Sequence, residues 1–330
     1  VAPLLEVRGL RVTFSGYRGE SRVLAGVDLE VGAGEQVGLV GETGCGKSVA
    51  MKAILGLLPS PPARVEGEVR FRGRALGPEE LRALRGREIT MIFQDPMASL
   101  NPVFTIGQQL HDVILRGRKV PPRAAAARAR AILREVRLPD PDRVLRAYPF
   151  QLSGGMRQRV LIAMALVNEP DLVIADEPGT ALDVTIQAQI LLLLRDLVER
   201  QGISVLLISH NLGVVRQVTR RVCVMYAGTI VEVAPTAALF RTPRHPYTQG
   251  LLAAVPKLTG EGVPAGIEGM IPDYVAPPPG CRFAPRCPYA MAVCDTPPPA
   301  IPVGPTHQAA CWLYSSEAVL ASGQAHGHGR

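Results

Sequence analysis

The sequence predicts an α/β fold with a parallel-sheet core, and three observations carry that prediction. Short apolar runs at Val37–Val40, Ile89–Phe93, Leu172–Ala175 and Val205–Ile208 have the length and composition of strands buried on both faces. Helical periodicity lies between them, most clearly over 153–167 and 185–200. The first apolar run feeds a glycine-rich turn, Gly41-Glu42-Thr43-Gly44-Cys45-Gly46-Lys47-Ser48, which opens a helix-like run from Val49 to Leu58.

The remaining elements follow in chain order. Residues 4–14 and 22–31 alternate like the strands of a small antiparallel sheet, to which Gly67–Gly73 adds another. Between Phe93 and Leu172 the apolar periodicity is mainly helical, and this stretch reads as a helical insertion into the α/β core. From about Pro235 the character changes. Residues 256–305 hold 13 of the 30 prolines with little periodicity, so this stretch cannot build a core unaided. The expected division is therefore 1–240, with its helical part over about 95–170, followed by a distinct region over 241–330.

Composition narrows the class. At 330 residues and 47% hydrophobic, the chain has material for two domains or one large one with an appendage. No apolar run reaches the roughly 18–20 residues that span a bilayer. The first residues, Val1-Ala2-Pro3-Leu4-Leu5-Glu6, show neither the basic nor the apolar region of a signal peptide. A cytosolic protein is expected, with any membrane role exerted through partners. The net charge of +7 is almost all arginine, since only four of the 36 basic residues are lysine. The densest stretch, Arg116 to Arg137, has no interleaved aromatic residues to stack bases, so it reads as an exposed helix face, near anionic lipid at most, and no nucleic-acid partner is expected.

A strand feeding a glycine turn and then a helix N-terminus points several backbone N–H groups at one spot, a nest for polyphosphate. Lys47 adds a charge for the β/γ-phosphates and Ser48 a hydroxyl for Mg²⁺. A bound nucleoside triphosphate is expected. The apolar run Leu172–Ala175 ends in Asp176-Glu177, two carboxylates able to serve a metal ion and an attacking water. Leu152-Ser153-Gly154-Gly155-Met156-Arg157-Gln158 supplies a second anion nest at a helix start.

With these residues in this order, the chain resembles the ATP-binding cassette (ABC) ATPases over roughly residues 4–240. The resemblance implies a P-loop NTPase cassette, with a RecA-like core, an antiparallel β-subdomain and a helical subdomain. It implies that Gly41–Ser48, with Val49, is the Walker A loop holding ATP, and that Leu152–Gln158 is the signature motif. Asp176 becomes the Mg²⁺-side carboxylate and Glu177 the catalytic glutamate. Gln94, in Phe93-Gln94-Asp95, becomes the Q-loop residue sensing Mg²⁺ and water. Asp183, in Ala181-Leu182-Asp183, falls in the D-loop, and His210, after Ile208-Ser209, is the switch histidine. Ser153, Gly154 and Gly155 then cover the ATP of a second, homologous subunit, so one chain makes two half-sites. Adenine stacking falls to Phe14 or Tyr17. Two departures stand out. Cys45 stands where the family often has Ser or another small residue; its place near Lys47 and a helix N-terminus points to a lowered thiol pKa and oxidant sensitivity, against the plainer reading of a small residue that simply fits. Gly179 stands where threonine is usual, with no mechanistic consequence expected.

The later sequence is similar to the D-type ATPases of dipeptide and oligopeptide importers, in Met91–Pro102 and in Phe240–Leu252. Pro246 is expected to set a short helix whose apolar face (Leu251, Leu252, Val255) packs on the core. Four cysteines, Cys281, Cys287, Cys294 and Cys311, lie in the proline-rich tail. Four soft ligands in a segment lacking its own core point to metal rather than disulfides, with zinc and uninvolved thiols as alternatives. The subfamily resemblance implies a C-terminal [4Fe-4S] cluster. Cys223, on an apolar strand, is expected to be simply buried. The resemblance further implies a heterodimer with a second ATPase, two transmembrane permeases whose coupling helices meet Gln94–Leu115, an extracytoplasmic solute-binding protein, and a peripheral position on the cytoplasmic membrane face. Related importers of nickel, glutathione or oligosaccharide share these features, and a soluble ABC ATPase is the rival from another class.

Overall fold

The computed structural model describes residues 2–17, 19–118, 120–179, 182–255 and 266–315. Its elements begin with β1 (Leu5–Gly16), β2 (Gly19–Val31), β3 (Gln36–Val40), α1 (Lys47–Ile54), β4 (Ala63–Phe71), β5 (Arg74–Ala75), α2 (Pro78–Leu84) and β6 (Ile89–Ile92). A helical series follows: α3 (Pro96–Ser99), α4 (Ile106–Gly117), α5 (Pro122–Glu135), α6 (Pro141–Arg146) and α7 (Gly154–Leu166). Next come β7 (Leu172–Asp176), α8 (Val184–Gln201), β8 (Ser204–Ser209), α9 (Leu212–Val218), β9 (Arg221–Tyr226) and β10 (Thr229–Pro235). The chain continues through α10 (Thr236–Arg241) and α11 (Pro246–Ala253) to β11 (Ile301–Gly304) and β12 (His307–Ala309). The elements group into two compact units that interleave along the chain.

The first unit comprises Val1–Glu6, Glu30–Val37 and Arg70–Ser209. Its centre is a parallel ladder in which β7 pairs with β6 (Ile89↔Leu172 to Ile92↔Ala175) and with β8 (Leu172↔Ser204 to Asp176↔Ile208). Leu172 to Ala175 have no exposed surface, as their unbroken apolar run requires. The helices between Phe93 and Leu172 pack on one another, α4 against α5 and α6, and α5 against α7. Local chemistry sets their starts. Thr105 and Gln108 form a reciprocal capping box on α4, while Ser153 and Asp183 cap α7 and α8. The arginine-rich stretch lies on α4 and α5, where Arg118 and Arg128 both bond Glu169, and Arg130 bonds Asp142 at 2.6 Å. Its positive charge is thus partly neutralised within the fold.

The second unit comprises Val7–Leu29, Gly38–Val69 and His210–Arg330. β1 lies between β2 and β4. Gly67 of β4 passes so close to β1 that a Cβ there would sit 2.8 Å from the carbonyl oxygens of Arg8 and Gly9. β9, β10, β12 and β11 form an antiparallel row, with Glu232↔Ala309 and Val233↔Gln308 in register between β10 and β12. The proline-rich tail therefore adds two strands to an existing edge. Pro302 within β11 hides that strand from pattern reading, because proline is tolerated there only at an edge. Cys223 is buried on β9.

The helix opened by Pro246 is α11, but its buried face is not the expected one. Pro246, Tyr247 and Thr248 are buried, whereas Leu251 and Leu252 are half-buried and Val255 is exposed. The reason is aromatic. The Tyr247 ring packs, tilted, with its centre 4.6 Å from that of Tyr226 and 5.5 Å from that of Phe283, and this cluster draws in the first turn of α11 instead of its last. Beneath it, buried Glu232 accepts the N–H groups of Arg244 (2.8 Å) and His245 (2.9 Å) and meets His307 Nε2 at 2.6 Å.

His245 caps α11 by accepting the N–H of Tyr247 at Nδ1, and its burial holds the imidazole down to about 4 from an ordinary 6.5. Between those values the unfolded chain binds a proton that the folded chain excludes, so stability rises with pH from about 4 to 6.5. Unfolding free energies from denaturant titrations across this window should change by on the order of 3 kcal/mol, and His245→Asn, which keeps a capping acceptor, should flatten that slope.

Candidate nucleotide-binding site

In the second unit the glycine turn runs from β3 into α1, and close packing dictates where glycine is needed. A Cβ on Gly41 would stand 2.1 Å from the carbonyl oxygen of Met225, and one on Gly46 would stand 2.9 Å from Leu24. Gly46 also holds φ at 104° as the residue capping α1. Lys47 is buried, and its ammonium donates to the carbonyls of Gly41 (2.8 Å) and Glu42 (2.9 Å). Thr43 and Gly44 are exposed at the crown of the turn, and Ser48 and Val49 are half-buried in the first turn of α1. Of the two aromatic candidates, Tyr17 stands fully exposed and Phe14 is half-buried on β1. His210 is exposed at the start of this unit's third segment.

Cys45 departs from expectation. It is completely buried, and burial raises its thiol pKa despite the lowering influence of Lys47, whose Nζ lies 3.7 Å from the sulfur. Desolvation of the thiolate outweighs the neighbouring charge.

The first unit gathers the carboxylates at the C-terminal end of its parallel ladder, where α/β folds place their chemistry. Asp176 is the last residue of β7 and is 5% exposed. Glu177 follows at φ 46°, a left-handed conformation costly for a non-glycine residue, with its N–H donated to Ile208 O at 2.9 Å. Gln94, two residues beyond β6, reaches it: Nε2 donates to Glu177 Oε2 at 3.3 Å. Ser153 is exposed, and its hydroxyl accepts the N–H of Met156 at 3.4 Å. A Cβ at Gly154 or Gly155 would stand 3.0 Å from the side chain of Leu182 or Ile186, respectively, a tight fit in which those neighbours would have to shift slightly. Asp183 caps α8 through the N–H of Ile186 at 2.9 Å. Gly179 holds φ at 112°, a conformation threonine resists, and Ala181 lies outside the described residues.

The four tail cysteines are free thiols that share one neighbourhood. The N–H of Cys281 donates to Cys294 O at 2.8 Å. Burial raises Cys311 to about 11, with Cys281, Cys287 and Cys294 adding to the rise. Burial likewise raises Cys281 and Cys287. Backbone hydrogen bonding acts the other way and lowers each of these three thiols, through Phe283 and Ala284 for Cys281, Tyr289 for Cys287 and Leu313 for Cys311. Among the described residues, no group of three or more His, Cys, Asp or Glu side chains is placed to hold a metal ion.

Three residues at the glycine turn escape sequence reasoning. Tyr247, Tyr274 and Arg286 each bond it, from positions 205 to 244 residues away. No local spacing signals such contacts.

A glycine turn opening a helix, a carboxylate pair ending a parallel strand and a serine-capped Gly-Gly helix together define an ATP-binding cassette ATPase. A family model for ABC transporters matches residues 24–180, and one for the oligopeptide/dipeptide transporter C-terminal region matches 231–294. The chain is 47% identical to the Bacillus subtilis dipeptide transport ATP-binding protein DppD, over 96% of each. It is also 47% identical to the B. subtilis oligopeptide transport ATP-binding protein OppD, over 96% of this chain and 91% of that one. Among solved structures, the ATP-binding cassette MJ0796, in a dimeric post-hydrolysis state bound to ADP and Pi, is similar with a TM-score of 0.62 and 28% identity, covering 70% of this chain and 98% of that one. The chain belongs to the ABC transporter family, among the ATP-binding subunits of its dipeptide/oligopeptide branch.

Because Cys45 is buried and protonated, peroxide should inactivate the wild type and Cys45→Ser at the same rate. ATPase assays before and after oxidation compare them directly.

Proposed function

We propose that this chain hydrolyses ATP to drive the uptake of dipeptides and oligopeptides through partner permeases. The observation that carries the reading is the end-to-end likeness to peptide-transport ATPases, which extends beyond the cassette through the C-terminal region. The chemistry of each residue is consistent with it. Lys47 and Ser48, with the N–H groups of Gly41–Ser48, take the triphosphate and its Mg²⁺, and Asp176 and Gln94 serve the metal. Glu177 orients and deprotonates the attacking water, and its bond to Gln94 holds the carboxylate in aim. His210 answers the γ-phosphate, and Tyr17 or Phe14 stacks on adenine. Ser153, Gly154 and Gly155 offer a nest to the ATP of a second, homologous subunit, in which Asp183 lies near the shared face.

The partners follow from the same reading: a heterodimer of ATPases beneath two permeases, fed by an extracytoplasmic binding protein. Among the described residues no helix is long and apolar enough to cross a membrane. In the same reading, which rests on the likeness to peptide-transport ATPases, the chain is a peripheral subunit on the cytoplasmic face of the membrane. In the first unit Phe93, Met97, Val103 and Phe104 are exposed, an apolar surface suited to receive permease coupling helices. Nickel, glutathione or oligosaccharide uptake is the alternative within the same branch. Peptide-stimulated ATPase of the complex reconstituted with its binding protein separates these cargoes.

The four tail cysteines are assigned to a [4Fe-4S] cluster, with Zn²⁺ as the alternative. Backbone hydrogen bonding that favours the thiolate forms of Cys281, Cys287 and Cys311 supports the assignment, because such donors stabilise metal-bound thiolates. The cluster would act as a structural staple for a loop-rich tail. Anaerobically purified protein should carry about four irons per chain and a broad visible absorption band, both lost in Cys287→Ser, whereas stoichiometric zinc would replace the assignment.

Glu177→Gln should lower ATP turnover at least about 100-fold while retaining bound ATP. Near-normal hydrolysis by that variant would remove Glu177 from its role.

A further inference from the structure

The C-terminal region grips the phosphate loop. Arg286 meets the Glu42 carboxylate with two parallel bonds, one terminal nitrogen to Oε2 at 2.8 Å and the other to Oε1 at 3.2 Å. The Arg286 side chain is 5% exposed and that of Glu42 26%, so water screens the pair little. Arg286 is itself fixed from behind. Its Nε donates to Glu268 O at 2.8 Å, a terminal nitrogen donates to Ile267 O at 3.0 Å, and the Tyr226 hydroxyl lies at 3.3 Å. Two tyrosines complete the grip. The N–H of Glu42 donates to Tyr247 Oη at 2.8 Å, and Tyr274 Oη donates to Gly44 O at 2.7 Å.

These bonds fall where a phosphate nest is most sensitive, since its N–H groups bind only while the backbone follows one path. Lys47 also holds that path, through the carbonyls of Gly41 and Glu42. A triphosphate that draws the ammonium to itself takes those two bonds away from the loop. The fork from Arg286 does not depend on Lys47, so it holds Glu42 in place when that happens.

We propose that Arg286, acting through Glu42, is a positioning residue for ATP, by which the C-terminal region sets the affinity of the phosphate loop. The proposal rests on the ATPase reading. Failure of that reading would appear as no ATP binding by the wild type, whereas failure of the proposal would appear as normal binding by the variants below.

The test is nucleotide titration of the full chain, with KM and kcat measured in the assembled transporter. Arg286→Ala and Glu42→Gln should each weaken ATP binding and raise KM by about 5- to 20-fold, with kcat changed less than about twofold. The double variant should be no weaker than the weaker single, because both substitutions break one interaction. Arg286→Lys should fail to restore affinity, since an ammonium cannot make the paired bonds of the fork. Should Arg286→Ala not fold, Glu42→Gln decides alone, because it leaves Arg286 its bonds to Glu268, Ile267 and Tyr226. A KM within about twofold of wild type in Glu42→Gln, a loss confined to kcat, or effects that multiply in the double variant would overturn the proposal.

Discussion

At Gly41 there is no room for a side chain: a Cβ would lie 2.1 Å from Met225 O and 2.8 Å from the sulfur of Cys45. That closeness fixes much of what surrounds it. The glycine turn lies directly against the end of β9, where Cys45 is completely buried, and that burial raises its thiol pKa. The turn after β9 is bound to the same contact. Gly228 donates its N–H to Cys45 O at 2.8 Å, and a side chain there would collide with Val23 O at 1.8 Å. Loop, strand end and following turn therefore form one steric unit, in which the backbone geometry needed to bind phosphate is imposed by neighbours rather than by the loop's own sequence.

The C-terminal region solves a different problem, that of ordering a proline-rich segment with little apolar periodicity. It does so by borrowing. β12 extends the row beside β10, Phe283 enters the aromatic group of Tyr226 and Tyr247, and His307 closes on buried Glu232. Arg282, 8% exposed, bonds the carbonyls of Ala227 and Arg22. A buried carboxylate or guanidinium is tolerated only where its hydrogen bonds are met, and here the partners come from segments widely separated along the chain. The tail is thus held to the same turn-and-strand unit that constrains the phosphate loop.

What could be read from the sequence follows from this distinction. The parallel strands, the glycine turn, the Asp-Glu pair and the capped Gly-Gly helix are local patterns, and periodicity or spacing reveals them. The bond between Gln94 and Glu177 was not a local pattern: the family resemblance implied a role for each, but only the pairing of their strands in one ladder shows that they meet. The buried face of α11 was not legible either. Leu251 and Leu252 look like the apolar side, yet Tyr247 goes inward because Tyr226 and Phe283 wait for it, and neither is a sequence neighbour. Cys45 misleads for a similar reason: the nearby lysine is visible in sequence, whereas the burial that outweighs it is a tertiary property.

The same reasoning separates two kinds of residue at a nucleotide loop. Those that touch phosphate are constrained by chemistry and recur in a fixed order, which is why Gly41 to Ser48 is recognisable in isolation. Those that hold the loop need only a complementary partner, and any nearby element can supply one. Glu42 illustrates the second kind. Within the motif its position accepts many residues, but in this fold its carboxylate receives a two-pronged bond and its amide serves a buried tyrosine. A position that a motif leaves open is therefore where an appended region can take hold of the cassette without disturbing the groups that meet phosphate.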